Sequence, residues 1–275
     1  MIIKNKYTLK DFEKELTKIG EKILYWQKNK INLKFVNKGQ FKLKADLKAN
    51  ILIKKLIKKY FITNKIVSEE NSLKQNLKNK KVSNFWVIDP IDGTRSFKEG
   101  YKGFVTQVCF LKNYKPIYSF IYAPALKKRW KFSKEVGQFI NNKKIKKKIF
   151  SKNNMTLVDN TKKPEGISKF IFENLNIKKY KESGSIGLKA CMVCDYTVDI
   201  FVKDVIFRIW DIFPAIALAS KKNIIICDFN NKKINVRDGI SKSYGLIVCR
   251  KEIFKKLFKN IKKYEKNINN CSTPR

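Results

Sequence analysis

The chain has 275 residues, of which 43% are hydrophobic and 13% aromatic, enough to build a large core without disulfide bridges. It carries 62 Lys and Arg against 23 Asp and Glu, a formal net charge of +39, and it contains no histidine. The lack of histidine excludes Ser-His-Asp and Cys-His catalysis and most zinc sites, so any catalysis must depend on carboxylates, hydroxyls, thiols, lysines or a metal held by oxygen.

The sequence has no feature typical of membrane insertion or export. Its longest apolar runs are far shorter than the roughly 20 residues that span a bilayer. Met1–Lys6 has neither the apolar stretch nor the cleavage site of a secretory signal. We therefore expect no transmembrane segment and a cytoplasmic location. The 6 cysteines are scattered through the chain, which predicts reduced thiols rather than a disulfide framework.

The positive charge is distributed over nearly every segment instead of being concentrated in one. Such a distribution, accompanied by many Asn and Ile residues, is typical of compositional bias and of solvated helix faces. We therefore expect no specific nucleic-acid partner, although the field would attract small anions such as phosphate esters.

The first part of the chain begins with helical periodicity and continues with strands. Apolar residues at three-to-four spacing predict an amphipathic helix from Thr8 to about Lys28, with Thr8 as its N-cap. A second helix is predicted to open at Asp46. The strands predicted after it are Asn64–Ser68, Phe85–Ile88, Gly103–Leu111, Pro116–Tyr122 and Trp130–Phe132. The strand from Phe85 is expected to stop at Asp89-Pro90, because proline cannot donate to a strand ladder.

The second part of the chain alternates short apolar runs with helical patterns, which indicates layered α/β packing. Strands are predicted at Thr156–Val158, Val198–Val202, Ile224–Cys227 and Leu246–Cys249, and helices at Ile167–Leu175, Gly187–Cys194, Trp210–Ser220 and Glu252–Lys262. The lysine-rich stretch Asn141–Lys152 is the best candidate for a boundary. We therefore predict an N-terminal α+β half, residues 1–145, and a C-terminal α/β half, residues 146–275, within one structural unit.

The segment Asp89-Pro90-Ile91-Asp92-Gly93-Thr94 follows a predicted buried strand and precedes a possible helix start. Two carboxylates three residues apart at a strand end can converge on one cation, with the Ile91 carbonyl beside them, and such oxygen ligands suit Mg²⁺. The backbone N–H groups of Gly93 and Thr94 would then form a cradle for phosphate. Asp-Pro and Asp-Gly are also common turn dipeptides, so the segment by itself fits a plain turn as well.

Other carboxylates favour a metal site over a turn. In a chain with 23 acidic residues, Glu69-Glu70 follows another predicted strand and Asp211 stands at the start of an apolar helix. Clustered anions raise one another's pKa unless a cation neutralises them. A bound metal ion would remove that conflict.

Three segments resemble, in order and spacing, the signature motifs of the inositol monophosphatase superfamily. They are Val67-Ser68-Glu69-Glu70, Trp86-Val87-Ile88-Asp89-Pro90-Ile91-Asp92-Gly93-Thr94 and Trp210-Asp211. The resemblance extends from the first helix to the strand near Cys227. It implies a layered αβαβα sandwich of the inositol monophosphatase and sugar phosphatase type, and a magnesium-dependent phosphoric monoester hydrolase. Members of the family are often dimers, so a homodimer is among the expected states.

The resemblance also implies a set of metal ligands. Glu69, Asp89 and the Ile91 carbonyl would hold one Mg²⁺, while Asp89, Asp92 and Asp211 would hold a second, with two or three ions in all. The cations would stabilise the attacking and leaving oxygens of an in-line displacement at phosphorus.

For the catalytic step, the resemblance implies that Thr94, with Glu70 or Asp46 behind it, orients and deprotonates the attacking water. The chain departs from the family pattern at two places. Leu43 stands where the family usually has a threonine before Asp46, and Ser220-Lys221-Lys222-Asn223 lacks the paired glycines that usually follow the last motif helix.

The residues expected to contact the substrate are Gly93, Thr94, Gly187, Lys189, Asp204 and Asp211. The segment Ser183–Lys189 resembles the family's glycine-containing turn and helix start, which faces the alcohol portion of the substrate. Asp204 lies seven residues before Asp211 and matches an acidic position that contacts the substrate in inositol phosphatases. Lys189 is equally compatible with a solvated helix lysine, and Asp204 with an ordinary loop carboxylate.

Within the superfamily, Ser68-Glu69-Glu70, Tyr122-Ala123-Pro124-Ala125 and Leu188-Lys189 resemble the CysQ-type 3′(2′),5′-bisphosphate nucleotidases. Hydrolysis of adenosine 3′,5′-bisphosphate to AMP and phosphate is therefore predicted, with the lysine paired to the second phosphate. Asp204 favours inositol 1-phosphate instead, and Arg95-Ser96-Phe97 also occurs in histidinol-phosphatase-like members. The alternative outside enzymes is a basic RNA-binding protein on a degenerate phosphatase scaffold, against which the intact metal ligands argue.

Overall fold

The computed structural model describes residues 1–4, 6–34, 43–63, 65–220, 223–238 and 241–271. Three residues of the sequence analysis lie outside these ranges. They are Asn64, predicted to open a strand, and Lys221 and Lys222, which belong to the segment that lacks the family's paired glycines. The chain divides into two compact units. The first comprises Met1–Ile145, Gly184–Leu188 and Ile209–Leu218, and the second Lys146–Ser183, Lys189–Arg208 and Ala219–Arg275. Asp211 therefore clusters with the N-terminal segments.

The described residues form helices and strands in a mixed order along the chain. The helices are α1 (Leu9–Lys28), α2 (Lys44–Tyr60), α3 (Leu73–Lys80), α4 (Thr94–Lys98), α5 (Gly166–Asn174), α6 (Ile186–Cys194), α7 (Ile209–Ala219) and α8 (Lys251–Cys271). The strands are β1 (Ile66–Ser68), β2 (Phe85–Asp92), β3 (Val105–Lys112), β4 (Lys115–Ala123), β5 (Lys128–Ser133), β6 (Gly137–Ile140), β7 (Lys143–Lys144), β8 (Thr156–Asp159), β9 (Lys179–Glu182), β10 (Ile200–Arg208), β11 (Ile224–Asp228) and β12 (Ser241–Arg250). Among the described helices, none combines the length and apolar character needed to cross a bilayer.

Helix α1 begins where the sequence predicts because its first turn is capped. The Thr8 hydroxyl accepts the Asp11 backbone N–H at 3.1 Å, and the Asp11 carboxylate accepts the Thr8 backbone N–H at 3.2 Å. This reciprocal pair satisfies donors that a helix start leaves unpaired. The apolar side of α1 then packs on the first sheet, where the rings of Phe12 and Trp86 lie 5.7 Å apart.

The first unit contains a sheet with the strand order β1-β2-β3-β4-β5-β6-β7. β1 runs parallel to β2, and β2 is antiparallel to β3. Parallel strands end at the same edge of a sheet. Because Ser68 pairs with Ile88, the residues that follow each of them, Glu69 and Asp89, emerge side by side. The topology of this sheet thus brings two of the predicted ligands together.

The prediction that β2 ends at Asp89-Pro90 is wrong, because the strand continues to Asp92. Its register with β3 shifts between Asp89, which pairs with Gln107, and Asp92, which pairs with Val105. In such an irregular stretch a residue does not have to donate to the ladder, so proline is tolerated. The Pro90 carbonyl oxygen instead accepts the Thr106 hydroxyl at 2.9 Å.

The second unit contains a sheet with the strand order β11-β12-β10-β8-β9. β8 is parallel to both β10 and β9, while β12 is antiparallel to its neighbours. The hydrophobic core of the second unit includes Ile167 and Ile171 from α5 and Leu257 and Ile261 from α8, all of them buried. Two mixed sheets with helices confirm the predicted α/β class.

Candidate active site

Asp89 lies in the buried strand β2, and the residue is 1% exposed. Its Oδ1 atom accepts the Ile91 backbone N–H at 3.1 Å. Burial raises the pKa of Asp89 well above its ordinary value, and the charges of four neighbouring carboxylates raise it further. These neighbours are Glu69, Asp92, Asp211 and Asp46. The five carboxylates therefore lie close enough to share one electrostatic field.

Gly93 turns the chain from β2 into α4. It has a φ of +90°, where glycine is favoured, and a Cβ at this position would lie 2.9 Å from the Gly103 carbonyl oxygen. After the turn, Thr94 Oγ1 donates to the Ile91 carbonyl oxygen at 3.1 Å. A hydroxyl has one proton and two lone pairs, so this bond leaves the Thr94 oxygen able to accept from another donor.

Asp46 lies in the first turn of α2 and is 1% exposed. Its Oδ2 atom accepts the backbone N–H of Leu43, the N-cap residue of α2, at 2.8 Å. The carboxylate therefore satisfies a backbone donor at the start of its own helix. Burial raises the pKa of Asp46 to about 8; the Leu43 hydrogen bond opposes this shift, and the charges of Glu70 and Glu69 add to it. Position 43 is leucine instead of the family's threonine, and the hydrogen bond from position 43 to Asp46 comes from its backbone N–H.

The turn that carries Glu69 and Glu70 is fixed by buried amide side chains. Ser68 Oγ donates to Asn50 Oδ1 at 2.9 Å, and its oxygen accepts the Glu70 backbone N–H at 3.2 Å. Asn76 binds both backbone polar groups of Ser68, since its Oδ1 accepts the Ser68 N–H at 2.9 Å and its Nδ2 donates to the Ser68 carbonyl oxygen at 2.7 Å. These bonds position the two half-buried glutamates.

Asp92 binds the beginning of α6. Its Oδ2 atom accepts the Ser185 hydroxyl and the Gly187 backbone N–H, both at 2.6 Å, and its Oδ1 accepts the Ile186 N–H at 3.3 Å. Asp92 therefore satisfies N–H groups that the helix start leaves unpaired. A Cβ on Gly187 would lie 2.7 Å from Asp92 Oδ2, so the close approach requires glycine.

Asp211 lies in the first turn of α7 and is half-buried. The side-chain amide of Gln107, from β3, reaches the backbone of this turn and also the Asp92 carboxylate. Asp211 and Asp92 thus share a neighbour, in addition to the electrostatic field that both exert on Asp89.

The donor types of this cluster fit a hard divalent cation. The candidate ligands are the carboxylates of Glu69, Asp89, Asp92 and Asp211 and the Ile91 carbonyl oxygen, which are the oxygen donors that Mg²⁺ prefers. Asp46 Oδ1 is buried and has no hydrogen-bond partner within the described ranges. In the same ranges, no three acidic or cysteine side chains are already gathered into a metal-binding group. The fit therefore depends on donor type and on the shared negative field, which a cation would offset.

The two substrate candidates Lys189 and Asp204 belong to the second unit. Lys189 is 3% exposed, so it is not a solvated helix lysine. Its ammonium lies 3.9 Å from Asp159 Oδ1 and 4.8 Å from the centroid of the Phe201 ring. Asp204 lies within β10 rather than in a loop, and the Tyr264 hydroxyl donates to its Oδ2 at 3.5 Å.

Asp159→Ala is expected to destabilise the second unit by about 3–5 kcal/mol, because the buried Asp159 carboxylate pairs with the buried Lys189 ammonium and accepts the Ser168 hydroxyl at 2.7 Å. Lys203→Met is the control, since Lys203 also contacts Asp159, at 3.2 Å, but its side chain is 24% exposed. That change should cost less than Asp159→Ala, because the Lys189 ammonium still faces the Asp159 carboxylate. Urea denaturation followed by circular dichroism measures both. Equal losses in the two variants would contradict a buried ion pair at Lys189.

Sequence reasoning did not identify the residues that support the acidic cluster. Asn50, Asn76 and Gln107 contact the motif residues but belong to no motif themselves. A weak signal was present for two of them. Asn50 follows Asp46 by one helical turn on the buried side of α2, and Gln107 interrupts an apolar strand. A buried polar residue on an apolar face needs a partner, which is a reason to look for one.

Comparisons with known proteins find relatives that cover most of the chain. The profile of the inositol monophosphatase family matches residues 10–266. A fructose-1,6-bisphosphatase/inositol-1-monophosphatase of Thermotoga maritima is 26% identical over 193 residues, which cover 69% of this chain and 72% of that protein. The 3′(2′),5′-bisphosphate nucleotidase CysQ of Buchnera aphidicola is 27% identical over 175 residues, 61% of this chain and 63% of that one.

The fold is similar to that of a solved structure, an IMPase of Thermotoga maritima. The TM-score is 0.77 at 23% sequence identity, with 94% of this chain and 98% of the other covered. The family profile spans both units and includes every motif described above. The chain therefore belongs to the inositol monophosphatase family, whose members are metal-dependent phosphatases that hydrolyse phosphoric monoesters.

Proposed function

We propose that the chain is a magnesium-dependent phosphomonoesterase whose catalytic centre is the carboxylate cluster of the first unit. The observation that carries this proposal is the burial of Asp89 in the field of four other carboxylates. Glu69, Asp89 and the Ile91 carbonyl would hold one cation, and Asp89, Asp92 and Asp211 a second. When bound, Mg²⁺ would stabilise negative charge on the phosphate and lower the pKa of water.

The residues of the chain itself would orient the attacking water and take its proton. Thr94 donates to the Ile91 carbonyl, so its hydroxyl oxygen can accept from a water molecule and fix its direction. Asp46 is the proposed general base, and its buried Oδ1, which has no hydrogen-bond partner among the described residues, is the oxygen that would receive the proton. Glu70 is the alternative base.

The phosphate group of the substrate would be bound by backbone N–H groups and attracted by the positive charge of the chain. The N–H groups of Gly93 and Thr94 at the turn after β2 are the proposed contacts to the ester phosphate. The net charge of +39 adds an attractive field for any anionic substrate.

For the substrate, we propose a 3′(2′),5′-bisphosphate nucleotide, on the basis of the CysQ-like segments and of the similarity to the Buchnera CysQ protein. Inositol 1-phosphate is the second candidate substrate, and one observation favours it. The Lys189 ammonium is buried and pairs with the Asp159 carboxylate. It is the cation that the nucleotide assignment pairs with the second phosphate. A homodimer and a cytoplasmic location remain predictions.

The test is phosphate release from adenosine 3′,5′-bisphosphate, inositol 1-phosphate and fructose 1,6-bisphosphate, each with Mg²⁺ and with EDTA. We expect Mg²⁺-dependent release, with the largest kcat/KM for the nucleotide. A preference of tenfold or more for inositol 1-phosphate would overturn the nucleotide assignment and leave the phosphatase in place. No release from any ester, together with salt-sensitive RNA binding, would overturn the phosphatase itself.

A further inference from the structure

Gln107 is a fully buried amide in the apolar strand β3, where it is 0% exposed next to Val108 and Cys109. Burying an amide costs free energy unless its polar atoms find partners. Neither the family motifs nor the proposed mechanism gives this side chain a role. Among the described residues, Oε1 has no hydrogen-bond partner, so the contacts of Nε2 have to explain the presence of this side chain.

The Gln107 amide nitrogen faces three acceptors. Nε2 donates to the Trp210 carbonyl oxygen at 2.9 Å and to Asp92 Oδ2 at 3.2 Å, with a longer contact of 3.4 Å to the Asp211 carbonyl oxygen. Carbonyl and carboxylate oxygens cannot donate, so only the NH₂ side of the amide can face them. The orientation of this amide is thus fixed by its surroundings.

Proline inside α7 explains why the Trp210 carbonyl receives a side chain. In an α-helix this carbonyl would accept the backbone N–H of the residue four positions later. That residue is Pro214, which has no N–H. Gln107 supplies the donor that the helix lacks, from a strand that is far away in the sequence.

We infer that Gln107 is a positioning residue that sets the spacing between Asp92 and the helix turn carrying Asp211. One amide group holds the carboxylate of the first and the backbone around the second, so the two proposed ligands are aligned before a cation binds. Gly187 leaves room for this arrangement, because a Cβ there would lie 2.4 Å from Gln107 Oε1. The inference rests on the proposed function, which assigns both aspartates to the metal.

Gln107→Met tests the inference, because methionine keeps the length and flexibility of the side chain and removes the donor. The readout is the dissociation constant of Mg²⁺ without substrate, measured by isothermal titration calorimetry, together with the melting temperature in EDTA. Loss of a group that orients a metal ligand typically weakens metal binding by about 10- to 100-fold, and we expect that range. An affinity within twofold of the wild type would overturn the inference.

Cys109→Ala is the matched control, since Cys109 is fully buried on the same face of β3, two residues along. It should lower the melting temperature and leave the Mg²⁺ affinity unchanged. Gln107→Asn keeps the amide on a shorter side chain and should bind Mg²⁺ with intermediate affinity. If Gln107→Met does not fold, an unchanged affinity in Gln107→Asn overturns the inference.

Pro214→Ala separates helix support from ligand positioning. It restores a backbone N–H for the Trp210 carbonyl, so in the double variant with Gln107→Met the helix no longer needs the amide. We expect the Mg²⁺ affinity of the double variant to stay weak, because the contact to Asp92 is still missing. Recovery of wild-type affinity would overturn the inference, because it would show that Gln107 only supports helix α7. Failure of the wild-type chain to bind Mg²⁺ would instead refute the proposed function.

Discussion

Asp89→Asn is expected to lower Mg²⁺-dependent phosphate release by about 10³-fold or more while the fold stays intact. A metal ion contributes several kcal/mol of charge stabilisation in the transition state, and each 1.36 kcal/mol corresponds to about tenfold in rate. Asn is close to Asp in shape and can still accept the Ile91 N–H at its Oδ1 atom. Because the change removes a carboxyl group whose ionisation is disfavoured by burial and by the neighbouring carboxylates, the melting temperature in EDTA should rise.

The control for this variant is Asp228→Asn in the second unit. Asp228 Oδ1 accepts the backbone N–H groups of Asn230 and Lys232, and asparagine can make the same bonds. Its phosphate release should equal that of the wild type. Full activity in Asp89→Asn would remove the carboxylate cluster from the mechanism, and a collapsed circular dichroism spectrum would show that Asp89 has a structural role instead.

In metal-free buffer, the stability of the protein is expected to fall as the pH rises from about 5 to 8. The folded pKa of Asp46 is about 8, against an ordinary value of 3.8, so in this range the folded chain holds a proton that the unfolded chain has released. The stabilising contribution is complete below pH about 4 and is lost as the pH passes through 8. At 1.36 kcal/mol per pH unit, Asp46 alone accounts for on the order of 5 kcal/mol. The pKa of Asp89 is raised in the same direction.

Urea denaturation in EDTA at pH 5, 6, 7 and 8 measures this slope. Asp46→Asn should flatten it, because its amide does not titrate in this range and still accepts the Leu43 N–H. Saturating Mg²⁺ should restore stability at pH 8, by about 2.7 kcal/mol at a concentration 100 times the dissociation constant. A stability that rises between pH 5 and 8 in EDTA, or an unchanged slope in Asp46→Asn, would contradict the prediction.

The carboxylates proposed as metal ligands could be selected from the sequence because their signal is local. Asp89 and Asp92 stand in one short segment, and the topology of the first sheet brings Glu69 beside them. The extent of β2 was not predictable from its own residues. Pro90 is a strand breaker by its chemistry, and only the shifted register with β3 makes it acceptable.

The environment of Lys189 and the role of Gln107 depend on contacts between distant segments. Asp159 lies 30 residues before Lys189, and no pattern in α6 indicates that its lysine is buried. Gln107 gains its role from Asp92 and from the helix turn that carries Asp211, which lies more than 100 residues later in the chain. A motif shows which atoms could carry out the chemistry, whereas the supporting side chains come from the tertiary structure.

Two consecutive residues of strand β3 make different hydrogen bonds to β2. The Thr106 hydroxyl donates to the Pro90 carbonyl oxygen, and the Gln107 amide donates to the Asp92 carboxylate. Successive side chains of a strand point to opposite faces of the sheet. Deleting one residue inside β3 would therefore exchange the two faces and break both contacts at once. A deletion scan should therefore find this strand intolerant along its length.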